Sequence, residues 1–309
     1  MVDNAIDAAY IATEGPLGYS ALRACKRRAV PVVSGLHTNF HQYSRHYGAG
    51  LVAAPLLRYL RHFHNRTAAT LVPTQAMADQ FAADGFERLQ VWPRGVHADL
   101  FHPRHRSTEL RASWGVRDDG LVVLYVGRLA PEKNIETAFA AFAAIRARHP
   151  GARFVLVGDG PAERRLRARH PDVLFAGPKT GAELATYYAS GDMFLFPSQT
   201  ETFGNVTLEA MASGLAVVSY DMAAAHELIL QGHNGLLARA DTRSAFVAQA
   251  GACADNPELR TKLKRHARET ALQQDWPRLI VQLERLFLSI CRETAIHGRE
   301  SAVTSSERS

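Results

Sequence analysis

The sequence predicts an α/β fold made of two Rossmann-like domains, the first incomplete, followed by C-terminal helices. Three observations lead there. Short apolar runs alternate with longer amphipathic segments almost throughout, the pattern of βαβ units around a parallel sheet. Glycine and proline stand where strands hand over to helices, as in PLGYSALRA and DGPAERRLRA. A polar, proline-containing stretch rich in His and Arg, GVHADLFHPRHRSTELRASWG, interrupts the alternation and reads as a linker. The chain then divides into a partial N-terminal domain over 1–98 and a second domain over 99–276. Residues 277–292 form a helix expected to pack back toward the first domain, and 293–309 a tail expected to be disordered.

In the first series AAYIATE is a strand, GYSALRACKRRA a helix and VPVVSGLHT the next strand. A helix covers much of GAGLVAAPLLRYLRHFHNR, followed by strand AATLVPT, short helix QAMADQFAADGF and strand RLQVWPRG. The second series opens with the buried strand GLVVLYVGRL, helix 135–149, strand RFVLVGDG, a short helix and strand VLFAG. Helix 181–190, strand MFLFP, helix 205–213, strand LAVVSYD and short helix 223–231 continue it, before helices near 242–254 and 257–272. In the last helix Leu279, Ile280, Leu283, Leu286, Phe287 and Ile290 fall on one apolar stripe.

The 309 residues are 47% hydrophobic and 21% charged, the composition of a globular protein, with a formal net charge of +6. That mild basicity suits an anionic small molecule or an anionic membrane surface. The arginines are dispersed, without a basic stripe interleaved with aromatics, so nucleic acid is not expected as a partner. Three widely spaced cysteines make neither a disulfide framework nor a zinc knuckle, and a reducing cytoplasm is expected. No apolar run approaches the roughly 20 residues of a spanning helix. Peripheral contact with an anionic membrane through RACKRRAV or RYLRHFHNR remains an expectation from their basic amphipathic spacing.

In open parallel sheets ligands bind beyond the carboxyl ends of strands, so the polar residues there are the candidates. In VGRLAPEKN, Gly127 permits close backbone approach, and Arg128 and Lys133 flank a turn that opens a helix. A guanidinium and an ammonium there suit a diphosphate, though two solvated bases on a loop fit the spacing equally. VGDGP is a weaker signal, since any tight strand-to-helix turn uses such glycines. The strongest stretch is PSQTETFGNVTLEAMASG. The amides of Phe203, Gly204 and Asn205 lie at a helix mouth, with Glu201 just before it and Glu209 about one turn inside. Capping alone accounts for one acid. Two acids around a glycine suit a ligand that carries phosphates between two polyols, that is, a nucleotide-sugar. Asp221 and Glu227 in SYDMAAAHELI read as ordinary acidity near a helix start.

In the first domain His37 ends a strand and is followed by Thr38 and Asn39. QYSRHYG adds Tyr43, Arg45 and His46 near the same mouth, as lining for an acceptor pocket or as structural residues. The histidines 37, 41, 46, 62 and 64 have no carboxylate or cysteine spaced among them to complete a metal site, and His62 and His64 read as riding a helix face. No metal and no cofactor is expected.

With these residues in hand the chain resembles the retaining GT-B glycosyltransferases of family 4. The E-x7-E pair (Glu201, Glu209), GRLAPEKN, the histidine of GLHTNF and RGVHADLFHP occur in that family's order. The stretch from IATEGPLGYSALRA to the HQYSRHYG segment is most similar to bacterial GDP-mannose-dependent α-mannosyltransferases. The resemblance implies that Gly127, Arg128 and Lys133 hold the donor diphosphate and that Phe203, Gly204 and Asn205 cradle phosphate and sugar. It further implies that Glu201 contacts the donor sugar, that Glu209 takes the ribose hydroxyls, and that His37 touches the sugar near the reacting centre. Thr38, Asn39, Tyr43 and Arg45 fall on the acceptor side. The implied reaction moves a hexose from a nucleotide-sugar to a lipid or glycan acceptor with retention and without a metal. The implied setting is glycolipid or polysaccharide biosynthesis in the cytoplasm or on the inner face of its membrane.

Three departures from the family pattern stand out. DMAAAHE replaces D-x-G-G-x-P-E, which weakens the carry-over to Glu227, and RGVH puts Arg94 and His97 where Asn and Asp are usual. Family members also begin with a strand, a glycine-rich loop and two further βα units, so the chain is expected to be N-terminally truncated. A nucleotide-sugar-binding chain without turnover, and a GT-B-shaped epimerase acting on UDP-sugars, are the competing readings.

Overall fold

A computed structural model describes residues 6–36, 50–117, 119–201 and 203–306. The chain separates into two compact units, one of residues 1–93 with 277–309 and one of residues 94–276. The division falls between Pro93 and Arg94 rather than after residue 98.

Four parallel strands make the sheet of the first unit: β1 (Ala9–Ile11), β2 (Val32–Gly35), β3 (Ala69–Val72) and β4 (Leu89–Val91), in the order β1-β2-β3-β4. Helices α1 (Pro16–Arg27), α2 (Gly50–His64) and α3 (Gln75–Ala83) connect them. Side chains alternate across a strand, so neighbouring valines serve opposite faces. Val32 packs with Ile11, Leu22 and Phe63, whereas Val33, Ala69 and Leu71 receive Ile290 of the long last helix. That helix, Trp276–Ser306, brings Leu283, Leu286 and Phe287 to the same face, and Trp92 Nε1 donates to the Leu279 carbonyl at 3.2 Å.

Ile280 does not join this stripe and is 56% exposed, because it sits about 100° around the helix from Leu279. The helix also continues to Ser306, into the stretch expected to be disordered, since after Pro277 no further proline and a single glycine, Gly298, interrupt it. His62 and His64 likewise do not share a face, being two residues apart on α2. His62 is exposed beside Arg66, while His64 is fully buried and its Nδ1 meets Ser34 Oγ at 2.9 Å.

The second unit holds six parallel strands: β5 (Val122–Val126), β6 (Arg153–Val157), β7 (Leu174–Gly177), β8 (Met193–Phe196), β9 (Ala216–Tyr220) and β10 (Leu236–Ala238). Their order is β10-β9-β8-β5-β6-β7, so the progression reverses between β5 and β8. Val123 and Leu124 pair with Met193 and Phe194 across that junction. All residues of β5 and β8 are buried, and helices cover both faces, which is why these strands read as unbroken apolar runs. β10 is a strand that the sequence pattern misses, three residues long and without alternation.

The supposed linker is the larger correction. It folds into the second unit as a 3₁₀ turn (Pro103–His105) and helix α4 (Thr108–Ser113), capped by Ser107 Oγ accepting from the Leu110 amide. Its basic residues look like surface in sequence, yet Arg111 is fully buried. Arg111 donates to Asp192 Oδ2 at 3.1 Å and to the carbonyls of Ser190 and Gly120 at 2.8 and 2.6 Å. Arg106 reaches Asp192 Oδ1 at 3.0 Å, the Val122 amide donates to Oδ2 at 2.9 Å, and Lys264 Nζ stands 3.6 Å away. Burial alone would raise the Asp192 pKa, but the charges of Lys264, Arg106 and Arg111 overcome it and hold the carboxyl below its ordinary value.

Replacing Asp192 by Ala strands a buried guanidinium, and chemical denaturation should report a loss of about 3–5 kcal/mol. A carboxyl depressed on folding stabilises above its unfolded pKa and ceases to do so as pH falls through the folded value. Acid titration of the wild type should therefore lose this contribution below the ordinary 3.8 of an aspartate, and Asp192→Asn should be weaker at neutral pH but flatter in that range.

Candidate functional site

The reversal of strand order between β5 and β8 leaves a crevice at their carboxyl ends, the place where parallel sheets bind ligands. A cavity of about 570 Å³ opens there. The turn after β5 contributes Gly127, Arg128, Glu132 and Lys133, and the segment after β8 contributes Thr200, Glu201, Phe203, Gly204 and Asn205. Both segments belong to the second unit.

Each group is held from behind. Gly127 has φ +150°, and its amide donates to the Val157 carbonyl at 3.0 Å. The buried Tyr125 hydroxyl donates to the Arg128 carbonyl at 3.2 Å, which fixes that backbone and leaves the guanidinium 65% exposed, 3.7 Å from Glu132. Burial, with the negative charges of Glu201 and Glu132, pushes the Tyr125 hydroxyl far above its usual range, so it remains a donor.

Lys133 closes a 3₁₀ turn, Pro131–Lys133. Its ammonium meets Glu201 Oε1 at 2.5 Å and the Thr200 carbonyl at 3.2 Å. Ser198 Oγ donates to the same carboxylate oxygen at 2.9 Å. Phe203 is buried and its carbonyl accepts from the Ala224 amide at 2.7 Å, anchoring the approach to helix α8 (Asn205–Ala212). Gly204, the N-cap, adopts φ +90° and ψ +62°, a left-handed conformation that favours glycine. Among the described residues the amides of Gly204 and Asn205 meet no acceptor. Two free N–H groups at a helix mouth beside two cations make an anion cradle.

Arg128, Lys133, Gly127, Glu201, Phe203, Gly204 and Asn205 thus come together as the sequence expected. Glu209 does not line the cavity, being one turn further along α8 and partly buried. Tyr188, at 0% exposure on α7 (Gly181–Ser190), donates to Glu209 Oε2 at 2.9 Å, and Oε1 has no partner among the described residues. Burial raises the Glu209 pKa and the tyrosine hydrogen bond opposes the rise. His37, Thr38, Asn39, Tyr43 and Arg45 lie outside the described residues.

Asp221 pairs with His226 at 2.7 Å, and Glu227 is exposed and absent from the cavity. The sequence reading did not assign Arg94, Glu132 and Thr200 to this site. Glu132 was legible as a carboxylate placed between the two cations of the same turn. Arg94 and Thr200 carry no spacing signal. Among the described residues, no group of three or more His, Cys, Asp and Glu side chains is placed to hold a metal ion.

The weak VGDGP signal has a structural cause. Gly158 and Gly160, at φ +127° and +155°, lie directly behind the Gly127–Leu129 turn. A Cβ on Gly158 would stand 2.1 Å from the Gly127 carbonyl oxygen, and one on Gly160 would stand 2.5 Å from that of Leu129. The Leu129 amide in turn donates to Asp159 O at 2.7 Å. These glycines brace the loop that carries Arg128. Gly158→Ala should cost about 1–3 kcal/mol in thermal or denaturant melts and should weaken nucleotide binding together with stability, because the loop must move to admit the methyl group.

The chain has recognisable relatives. Residues 2–100 match the family described as Glycosyltransferase Family 4, and residues 120–256 match Glycosyl transferases group 1. It is 35% identical over 273 residues to a GDP-mannose-dependent alpha-mannosyltransferase of Mycobacterium tuberculosis, covering 88% of this chain and 70% of that one. It is 32% identical to the sulfoquinovosyl transferase SQD2 of Arabidopsis thaliana, covering 87% of this chain and 54% of that longer one. In three dimensions it is similar to Anabaena HepE, solved in complex with UDP, with a TM-score of 0.76 at 23% identity, covering 91% of this chain and 79% of HepE. That likeness identifies the two-sheet architecture as GT-B. The chain belongs to the family 4 (group 1) GT-B glycosyltransferases, enzymes that transfer a sugar from a nucleotide-sugar.

Proposed function

We propose that this glycosyltransferase moves mannose from GDP-mannose to a lipid or glycan acceptor with retention of anomeric configuration. The observation that carries the reading is the cavity at the β5–β8 junction. There three cations, two free amides and two carboxylates converge in an arrangement that suits a sugar diphosphate. The choice of mannose and guanine rests on similarity to the mannosyltransferases, which outrank in identity the glucosyl and sulfoquinovosyl relatives.

Arg128 and Lys133 take the diphosphate, and the Gly204 and Asn205 amides receive its oxygens at the positive end of α8. Glu201 accepts hydroxyls of the hexose, and the ribose extends beyond the cavity lining to the second carboxylate oxygen of Glu209. The acceptor hydroxyl oxygen bonds to the anomeric carbon on the face the diphosphate leaves. Its proton passes to the departing phosphate oxygen as the glycosidic C–O bond to phosphate breaks. Negative charge grows on the leaving diphosphate in that transition state, so preorganised cations and amides around it lower the barrier.

A radiolabelled or coupled transfer assay with GDP-mannose tests the site. Glu201→Ala should lower turnover at least about a hundredfold, the size of losing a transition-state hydrogen-bonding group. Unchanged transfer would remove Glu201 from the reaction. We place the protein in the cytoplasm, in peripheral contact with anionic membrane. On α1, Arg23, Lys26 and Arg27 in the C-terminal half are exposed, as is Leu17 at its start, at 84%. Sedimentation with vesicles should rise with the fraction of anionic lipid and fall with salt. Equal sedimentation with neutral vesicles would contradict the contact.

A further inference from the structure

The cations of the cavity are not equally free. Lys133 is already engaged with Glu201 at 2.5 Å, and Arg128 stands 3.7 Å from Glu132. Lys133 can turn to a ligand only by loosening its carboxylate, and Arg128 has one beside it, beyond hydrogen-bond reach, that offsets its charge. Arg94 lines the same cavity, is exposed, and has no carboxylate or hydrogen-bond partner among the described residues. The lining therefore holds three cations against two carboxylates, and Arg94 is the uncompensated one.

Its backbone is fixed although its side chain is free. The next residue, Gly95, lies flat against the Trp276 indole, where a Cβ would stand 2.6 Å from the ring. The Val96 amide donates to Gln274 O at 2.9 Å and the Trp276 amide donates to Val96 O at 3.1 Å. The guanidinium thus projects from a clamped position at the rim of the cavity. A guanidinium has a planar fork that matches two phosphate oxygens at once, and a free one gives up no existing bond to do so.

We propose that Arg94 is a third binding residue for the diphosphate of the donor, the one that engages first because it is the one not already paired. The inference rests on the nucleotide-sugar reading of this cavity. Arg94 supplies the net positive charge that draws the dianionic linkage in, and Lys133 and Arg128 exchange their carboxylates for phosphate afterwards.

Calorimetric titration of GDP, UDP and guanosine into the wild type, Arg94→Gln and Arg94→Lys, at low and high salt, tests this. Arg94→Gln should weaken GDP roughly tenfold to a hundredfold, the range for a lost hydrogen bond to a charged group. Guanosine, which has no phosphate, should bind unchanged, and Arg94→Lys should recover part of the loss. The salt dependence of GDP binding should become shallower in Arg94→Gln, since one attracting charge is gone. GDP affinity within about twofold of wild type in Arg94→Gln overturns the assignment, and so does an equal loss for guanosine, which would mark Arg94 as structural. Wild-type protein that binds neither GDP nor UDP overturns the donor reading itself and this inference with it. Wild type that binds GDP tightly while Arg94→Gln does so equally overturns the inference alone.

Discussion

The second unit depends on one buried carboxylate. Asp192 sits at the amino end of β8, where it binds the Val122 amide at the amino end of the neighbouring β5 and collects Arg111, Arg106 and Lys264. These four partners come from a strand, from the segment that precedes the sheet and from the helix Pro257–Leu272. A single charged group therefore sets the register of the two strands between which the chain order reverses. The hydrogen bonds and cations gathered on its two oxygens make its burial tolerable, because a carboxylate removed from water is costly unless it is paired and hydrogen-bonded. The ligand-facing turns leave the opposite ends of the same two strands, about 15 Å away at the usual rise per residue. Tension or slack at Asp192 would be transmitted to the cavity through strands that are buried on both faces and have no room to shift.

At the cavity itself the chemistry is carried by backbone as much as by side chains. Gly204 holds a left-handed conformation so that the helix begins with unsatisfied amides, and Gly158 and Gly160 vanish behind the Arg128 turn so that two loops share one thickness. The ion pair between Lys133 and Glu201 holds two strong groups in place. Tyr188 does the same for Glu209 from a different βα unit. Such prior alignment means that little rearrangement is needed when charge develops on a departing group.

Much of this was legible in the residues. Buried parallel strands announce themselves as apolar runs, and the glycine of the turn after β8 marks a helix mouth that the structure brings to one cavity with Arg128 and Lys133. What escaped did so for identifiable reasons. The segment before β5 is rich in Arg and His, and composition cannot distinguish a solvated arginine from Arg111, whose burial depends on Asp192 some eighty residues later in the chain. β10 is too short to show a period. Ile280 counts as apolar in any tally, and only the angular position on the helix shows that it faces out. Glu209 was read from its distance to Glu201 along the chain, whereas its orientation is set by Tyr188, a contact that no local spacing encodes. Arg94 stood out in the sequence only as a departure from a family pattern, which gave it no role. Its importance is a matter of what surrounds it and of what does not.

The chain enters the second unit at Arg94 and leaves it at Trp276, and those two passages are stitched to each other. Val96 bridges Asp275 in parallel, the Ala98 amide donates to Asp275 Oδ1 at 3.0 Å, and Gly95 lies on the Trp276 ring. The unit is consequently sealed at its own neck. For recombination this makes residues 94–276 a natural cassette: a hybrid that exchanges the second unit should be cut outside the stitch, before Arg94 and after Trp276. A cut placed by composition, after residue 98, would leave half of the seam on each parent, with Asp275 and Trp276 facing a strange partner.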